Sequence, residues 1–201
     1  MYRWRKMTEQ ERESALEQRK QNHRPWHNPP HLVSETSYYL VTAACFEHRP
    51  IIGLNAERMG SFEHDLLTVL QGGCRTIFAW IVLPNHYHVL VDSTDVKALL
   101  RALGQLHGRT SYDWNCEENR TGRKVWFNAA ETAMKSERHF WATLNYVLHN
   151  AFRHGYVSQW TDWPYSNAAD YLQQVGQEHA IQVWKEFPIL DYGAAWDPPD
   201  L

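Results

Sequence analysis

The amino-acid sequence predicts an α+β fold, with an antiparallel sheet of about four strands and helices packed on it in a ferredoxin-like arrangement. Three observations carry this expectation. Segments with strand-like and helix-like hydrophobic periodicity alternate along the chain. Two of the strand-like segments, 76–83 and 86–92, are separated only by Pro84-Asn85, which is turn chemistry and predicts a hairpin. The helical segments carry apolar residues at steps of three and four, enough to cover a sheet.

In chain order, residues 9–21 are polar and helix-compatible, and Pro25, Pro29 and Pro30 then impose an extended connection. Residues 1–35 are therefore expected to form a separable arm. The aromatic and β-branched run from Ser37 to Phe46 predicts a buried strand. Asn55 can cap a helix to Leu70 with Met59, Phe62, Leu66, Leu67 and Leu70 as its apolar positions, stopped by Gly72-Gly73. The hairpin follows. Thr94 or Asp95 then starts a helix with Val96, Leu99, Leu100, Leu103 and Leu106 on one side. The polar stretch from Gly108 to Arg123 is expected to be loop-like at its end, and Val125-Trp126-Phe127 to make the last short strand. Ser136 can cap a final strong helix reaching about His154, with Gly155 in a terminating position. The expected division is arm 1–35, main domain 36–157 and C-terminal extension 158–201.

Composition narrows the function classes. The 201 residues are 43% hydrophobic, enough for one real core, and no run approaches the roughly 18 apolar residues of a membrane span. The N-terminus is too polar for a secretory signal, so a cytoplasmic location without membrane partners is expected. Cys45, Cys74 and Cys116 are widely separated and odd in number, which argues against a disulfide framework. Net charge is only −3, but its distribution is uneven. Bases exceed acids between Arg3 and Arg24, whereas from Tyr156 onward Lys185 is the only base against seven acidic residues, the last three being Asp191, Asp197 and Asp200. A basic arm suits phosphate contacts, and two merely solvated surfaces would look the same.

Two stretches carry chemistry. Strand alternation puts His86 and His88 on one face and Tyr87 and Val89 on the other, so the two imidazoles make half a metal site suited to Mg²⁺ or Mn²⁺. In a chain with 12 histidines, two on one strand face also arise by chance. On the last helix, Phe140, Leu144, Val147, Leu148 and Ala151 form the stripe that must face the sheet. His139, Thr143, Tyr146, Asn150 and Arg153 form a separate polar stripe, with the Tyr146 phenol one turn from the Asn150 amide. Tyr146 is then either a boundary tyrosine with a wet hydroxyl or a functional phenol.

These stretches together resemble the REP-associated tyrosine transposases, relatives of the single-tyrosine insertion-sequence transposases in the histidine-hydrophobe-histidine (HUH) superfamily. The resemblance rests on His86-Tyr87-His88 after a Leu-Pro-Asn turn, Thr143-Leu144-Asn145-Tyr146-Val147-Leu148-His149-Asn150, and His154-Gly155-Tyr156-Val157. Thr42 with Arg49-Pro50, Val125-Trp126, Ser136-Glu137-Arg138-His139-Phe140, Asp162-Trp163-Pro164-Tyr165-Ser166-Asn167 and Tyr171 agree with it, so that it spans roughly residues 25–175.

The resemblance implies an HUH nuclease fold in which His86, His88 and Asn150 hold a divalent metal, Mg²⁺ or Mn²⁺, and Tyr146 is the nucleophile. It implies a single-stranded DNA substrate carrying hairpin repeats, nicked and rejoined through a covalent 5′-phosphotyrosine, by a monomer or a homodimer. Arg120, Arg123, Lys124, Trp126 and Arg153 are candidate DNA contacts. The alternative is a domesticated, non-catalytic binder of DNA hairpins on the same fold. Where the family more often reads Asn-Pro-Val, this chain has Asn150-Ala151-Phe152, and loss of the proline predicts a helix that continues one more turn and moves Asn150. An acidic position usually filled by Asp is here Glu131.

Overall fold

The run from Ser37 to Phe46 is the hub of the sheet. In the computed structural model, which describes residues 36–190 together with Thr8 and Gln10, β1 (Tyr38–Ala44) is paired on both sides. On one side it runs antiparallel to β3 (His86–Asp92), with Thr42 opposite His88 and Ala44 opposite His86. On the other it runs antiparallel to β4 (Ala130–Ala133). β2 (Thr76–Val82) pairs with β3 through the expected hairpin, with a register shift between Ile77 and Ala79. The order β2-β3-β1-β4, antiparallel throughout, is that of the expected ferredoxin-like sheet. The chain divides into units 1–33 and 34–201. The basic arm and the tail from Asp191 lie outside the described residues.

Helices cover both faces. α1 (Ala56–Gly73) starts where Asn55 Oδ1 accepts the Arg58 backbone N–H at 2.8 Å, and α2 (Val96–Glu117) where Asp95 accepts that of Ala98 at 2.8 Å. Phe62, Leu66, Leu70, Leu99, Leu103 and Leu106 from these helices pack with Val41, Tyr87, Val89 and Val91 from one sheet face. α3 (Glu137–Leu148), capped by Ser136, buries Leu144, Val147 and Leu148 against Leu40, Ala79, Ile81 and Leu90 on the opposite face. Each such side chain contributes roughly 1.5–3 kcal/mol on burial. Because strand parity splits Tyr87, Val89 and Val91 from His86, His88 and Leu90, the two histidines belong to the α3 face.

α2 runs to Glu117, and the end of the polar stretch, from Glu118 to Arg123, is loop as expected; the last helical turn is anchored by the buried Trp114 and by Arg58 on α1, which donates to Glu117 at 2.6 Å and to Glu118 at 2.7 Å. Other expectations are corrected. The last strand is Ala130–Ala133, not Val125–Phe127; Trp126 makes only an isolated bridge to Cys45. The alanine-rich segment has weak intrinsic strand preference, and the open edge of β1 overrides it. Nor does the helix bearing Tyr146 continue unbroken. It ends at Leu148, His149 departs from helical geometry (φ −97°, ψ 6°), and the short α4 (Asn150–Arg153) follows. The break forms without proline, as the His149 ring donates through Nδ1 to the Asn145 carbonyl at 2.9 Å, the same oxygen that accepts its backbone N–H.

Two helices, α5 (Ala168–Val175) and α6 (Gln177–Glu186), lie beyond the elements expected from periodicity. The segment before them covers the outer edge of β2. Trp163 Nε1 donates to the Val82 carbonyl, the Tyr165 carbonyl accepts the Val82 N–H, and the Asn167 amide bonds Trp80 N and Phe78 O. These bonds satisfy edge groups that would otherwise invite another strand. No helix among the described residues is long and apolar enough to cross a membrane.

Candidate active site

Each histidine of β3 is oriented by a neighbour. Asn85 donates from Nδ2 to the His48 carbonyl at 3.1 Å, which aims its amide oxygen at His86. That oxygen accepts from His86 Nδ1 at 2.6 Å, so Nδ1 carries the proton and Nε2 is the lone-pair nitrogen. His88 Nδ1 bonds the Thr42 hydroxyl at 2.8 Å, a cross-strand contact prepared by the Thr42–His88 register. The two rings lie 4.9 Å apart edge to face, and the His154 ring, just past α4, lies 5.4 Å from His86.

α3 brings Tyr146 onto this pair. Its hydroxyl lies 3.1 Å from His88 Nε2, the two rings are 5.0 Å apart, and the Arg153 guanidinium sits 5.4 Å above the phenol ring. In the tautomer in which His88 Nδ1 donates to the Thr42 hydroxyl, Nε2 accepts the phenol proton. Tyr146 is not the boundary residue with a wet hydroxyl that one reading allowed: it is 1% exposed, within the core of the α3 face, as are its stripe-mates Thr143 and Asn150. The middle of the polar stripe is buried because the strands contribute polar as well as apolar side chains to that face, while at its two ends His139 is half-buried and Arg153 exposed.

Two imidazoles and a buried amide oxygen are donor types that suit a divalent cation such as Mn²⁺ or Mg²⁺. Asn150, 1% exposed, has a buried Oδ1 with no hydrogen-bond partner among the described residues. An orphan of this kind is a cost that a cation would relieve. Among the described residues no group of three or more His, Cys, Asp or Glu side chains could hold a metal, so a third protein donor to a cation at His86 and His88 is to be sought in an amide.

Two residues expected to contact DNA are committed elsewhere. Trp126 is 7% exposed, stacks on His107 at 4.3 Å and on Phe62 at 5.2 Å, and donates from Nε1 to Thr110; its ring is core, closed to bases. Arg123 forks onto both carboxylate oxygens of Glu118 at 2.8 and 3.0 Å and donates from Nε to Asn115. That fork first, with Arg58 also contributing, holds the Glu118 carboxyl down to about 2. Arg120 and Lys124 are exposed. Sequence reading missed the roles of Thr42, Asn85 and the His154 ring. Thr42 is opposite His88 only once the register of β1 and β3 is known, whereas adjacency in sequence could have flagged Asn85.

Fold and site together define an α+β protein whose antiparallel sheet carries two histidines on the face opposed by a tyrosine-bearing helix. The comparisons with known proteins agree at the level of fold. A solved REP-associated tyrosine transposase, bound in its structure to a REP hairpin, superposes with a TM-score of 0.52 at 18% identity, over 70% of this chain and 81% of that one. The chain shares that fold. No protein-family profile and no curated protein sequence matches it.

Proposed function

We propose that this protein is a single-stranded DNA transposase or nickase that cleaves and rejoins hairpin-containing DNA through Tyr146, working in the cytoplasm. The observation that carries this reading is the 3.1 Å contact between the Tyr146 hydroxyl and His88 Nε2 on the face that also holds His86. A phenol of ordinary pKa about 10 needs a proton acceptor to become a nucleophile, and His88, held by Thr42, is in place to accept. The Arg153 guanidinium over the ring favours the phenolate.

In the reaction the Tyr146 oxygen attacks the scissile phosphorus, the bond from phosphorus to the 3′ oxygen breaks, and that oxygen leaves as a 3′ hydroxyl after protonation. The 5′ phosphate stays on Tyr146, and attack by another 3′ hydroxyl reverses the step, so that rejoining needs no external energy source. His86, His88 and Asn150 would hold a divalent cation, which when bound neutralises phosphate charge; His88 Nε2 would then serve as ligand and the phenol proton would pass to water, so that His88 is the acceptor only when it does not hold the cation. Asn85 and Thr42 set the ring orientations for either role.

One observation favours the second reading, a non-catalytic hairpin binder: His88 and Tyr146 are both at most 1% exposed, and cleavage requires the phenol to meet a phosphate. The experiment that separates them incubates the protein with Mn²⁺ and single-stranded hairpin DNA, followed by denaturing electrophoresis. A covalent adduct formed by the wild type and lost in Tyr146→Phe is expected. Tight binding without an adduct leaves the binder.

A further inference from the structure

Two phenylalanines meet outside both hydrophobic cores. Phe46, just after β1, and Phe127, before β4, are half-buried, with ring centroids 5.0 Å apart and planes at 47°. Reciprocal backbone bonds, Phe46 N to Val125 O at 2.7 Å and Phe127 N to Ala44 O at 2.9 Å, hold the two segments side by side. The ammonium of the exposed Lys124 lies 4.7 Å from the Phe46 ring centre and 5.5 Å from that of Phe127. Among the described residues Lys124 has no carboxylate partner. A cation left without a counter-charge over a half-buried aromatic pair outside both cores suits a ligand with both a flat ring and a negative charge.

The position of the patch says which ligand. Ala44 lies opposite His86, so the residues just beyond β1 continue from the end of the sheet that carries the candidate site. The connection is direct: the His48 carbonyl accepts from Asn85, and Asn85 accepts from His86. Glu47 and His48 hold φ of 58° and 54°, a left-handed geometry disfavoured for two successive residues with a Cβ, and the bond to Asn85 helps to hold it.

We infer that Phe46, Phe127 and Lys124 form a stacking platform for an unpaired base in the single-stranded segment flanking the hairpin, with Lys124 taking a neighbouring phosphate. The inference rests on the proposed function and gives to Phe46 and Phe127 the DNA contact expected of the buried Trp126. Ring faces accept every base, so the platform anchors the strand and leaves sequence preference to other groups.

The test measures binding by fluorescence anisotropy for a hairpin with a single-stranded flank and for the same hairpin without it, using the full chain. Phe46→Leu and Phe127→Leu are expected to weaken the flanked hairpin about tenfold or more. Lys124→Gln, an exposed replacement that leaves the fold intact, is expected to weaken it several-fold and to lower the salt slope by about one. The unflanked hairpin should bind all four proteins alike, and 2-aminopurine in the flank should change its fluorescence with wild type more than with either leucine variant. If wild type binds and forms the Tyr146 adduct while all three variants bind the flanked hairpin as it does, the platform is refuted and the proposed function stands. If wild type neither binds nor forms the adduct, both fall.

Discussion

Replacing Asn150 with leucine separates a structural amide from a metal-binding one. The Asn150 Oδ1 is buried and without a hydrogen-bond partner among the described residues, a state that costs about 1–3 kcal/mol in desolvation. Leucine has similar bulk and removes that acceptor, so in metal-free buffer Asn150→Leu should equal or exceed wild type in stability. The gain should reach at most about 3 kcal/mol, at roughly 2–4 °C of Tm per kcal/mol for a domain of this size. With Mn²⁺ the difference should move towards wild type by about 2.3 kcal/mol, reversing the order wherever the metal-free gain is smaller than that. At a hundred times its Kd, a bound cation stabilises the native state by about 2.7 kcal/mol, or roughly 5–10 °C. If loss of one of three protein ligands weakens binding by about a hundredfold, the same Mn²⁺ concentration stabilises the variant by only about 0.4 kcal/mol. Thermal unfolding followed by circular dichroism, with and without Mn²⁺, reads both differences. A variant clearly less stable than wild type in metal-free buffer would show that the amide is paired and structural. An unchanged Mn²⁺-dependent rise in Tm would remove Asn150 from the ligand set.

Three further outcomes are expected. His107, buried between Tyr87 and Trp126 and neutral there, has its pKa lowered from 6.5 to about 4 by burial, and burial likewise lowers His149 to about 4. Their folded values lie below the unfolded ones, so their stabilising contribution is complete above pH 6.5 and lost as pH falls towards 4. His107 alone contributes about 3 kcal/mol across that window, and urea titrations should show a shallower pH dependence for His107→Gln. Arg58→Met should cost about 1–3 kcal/mol by chemical denaturation, because Arg58, with a side chain only 6% exposed, donates to the Ile51 carbonyl and pairs Glu117, both of which lose that partner, while Glu118 keeps its fork from Arg123. Trp126→Ala should destabilise by about 3–5 kcal/mol while leaving hairpin affinity within twofold at temperatures where it is folded; a large affinity loss in a fully folded variant would mean that the ring reaches DNA after all.

The candidate site derives from a difference in how its two halves are built. The histidines sit on a central strand with partners on both sides, so their ring positions follow from register and from Thr42 and Asn85. Tyr146 and Asn150 sit on either side of a break at His149, which makes their relative placement depend on one side-chain bond to Asn145.

What the sequence determined by itself was local. The side-chain period of a strand put His86 and His88 on one face before any partner was known, the Pro84-Asn85 turn made the hairpin, and Asn55, Asp95 and Ser136 marked helix starts that the structure keeps. What only the tertiary structure decided was pairing across distance. Periodicity showed that the helix of Tyr146 has an apolar and a polar stripe but not that the middle of the polar one is buried, because whether a polar stripe meets water or a histidine depends on a strand 58 residues away. The same reason sent Trp126 into the core and the strand role to Ala130–Ala133: a free edge on β1 and space against Phe62 are properties of the assembled sheet, and no window of neighbouring residues contains them.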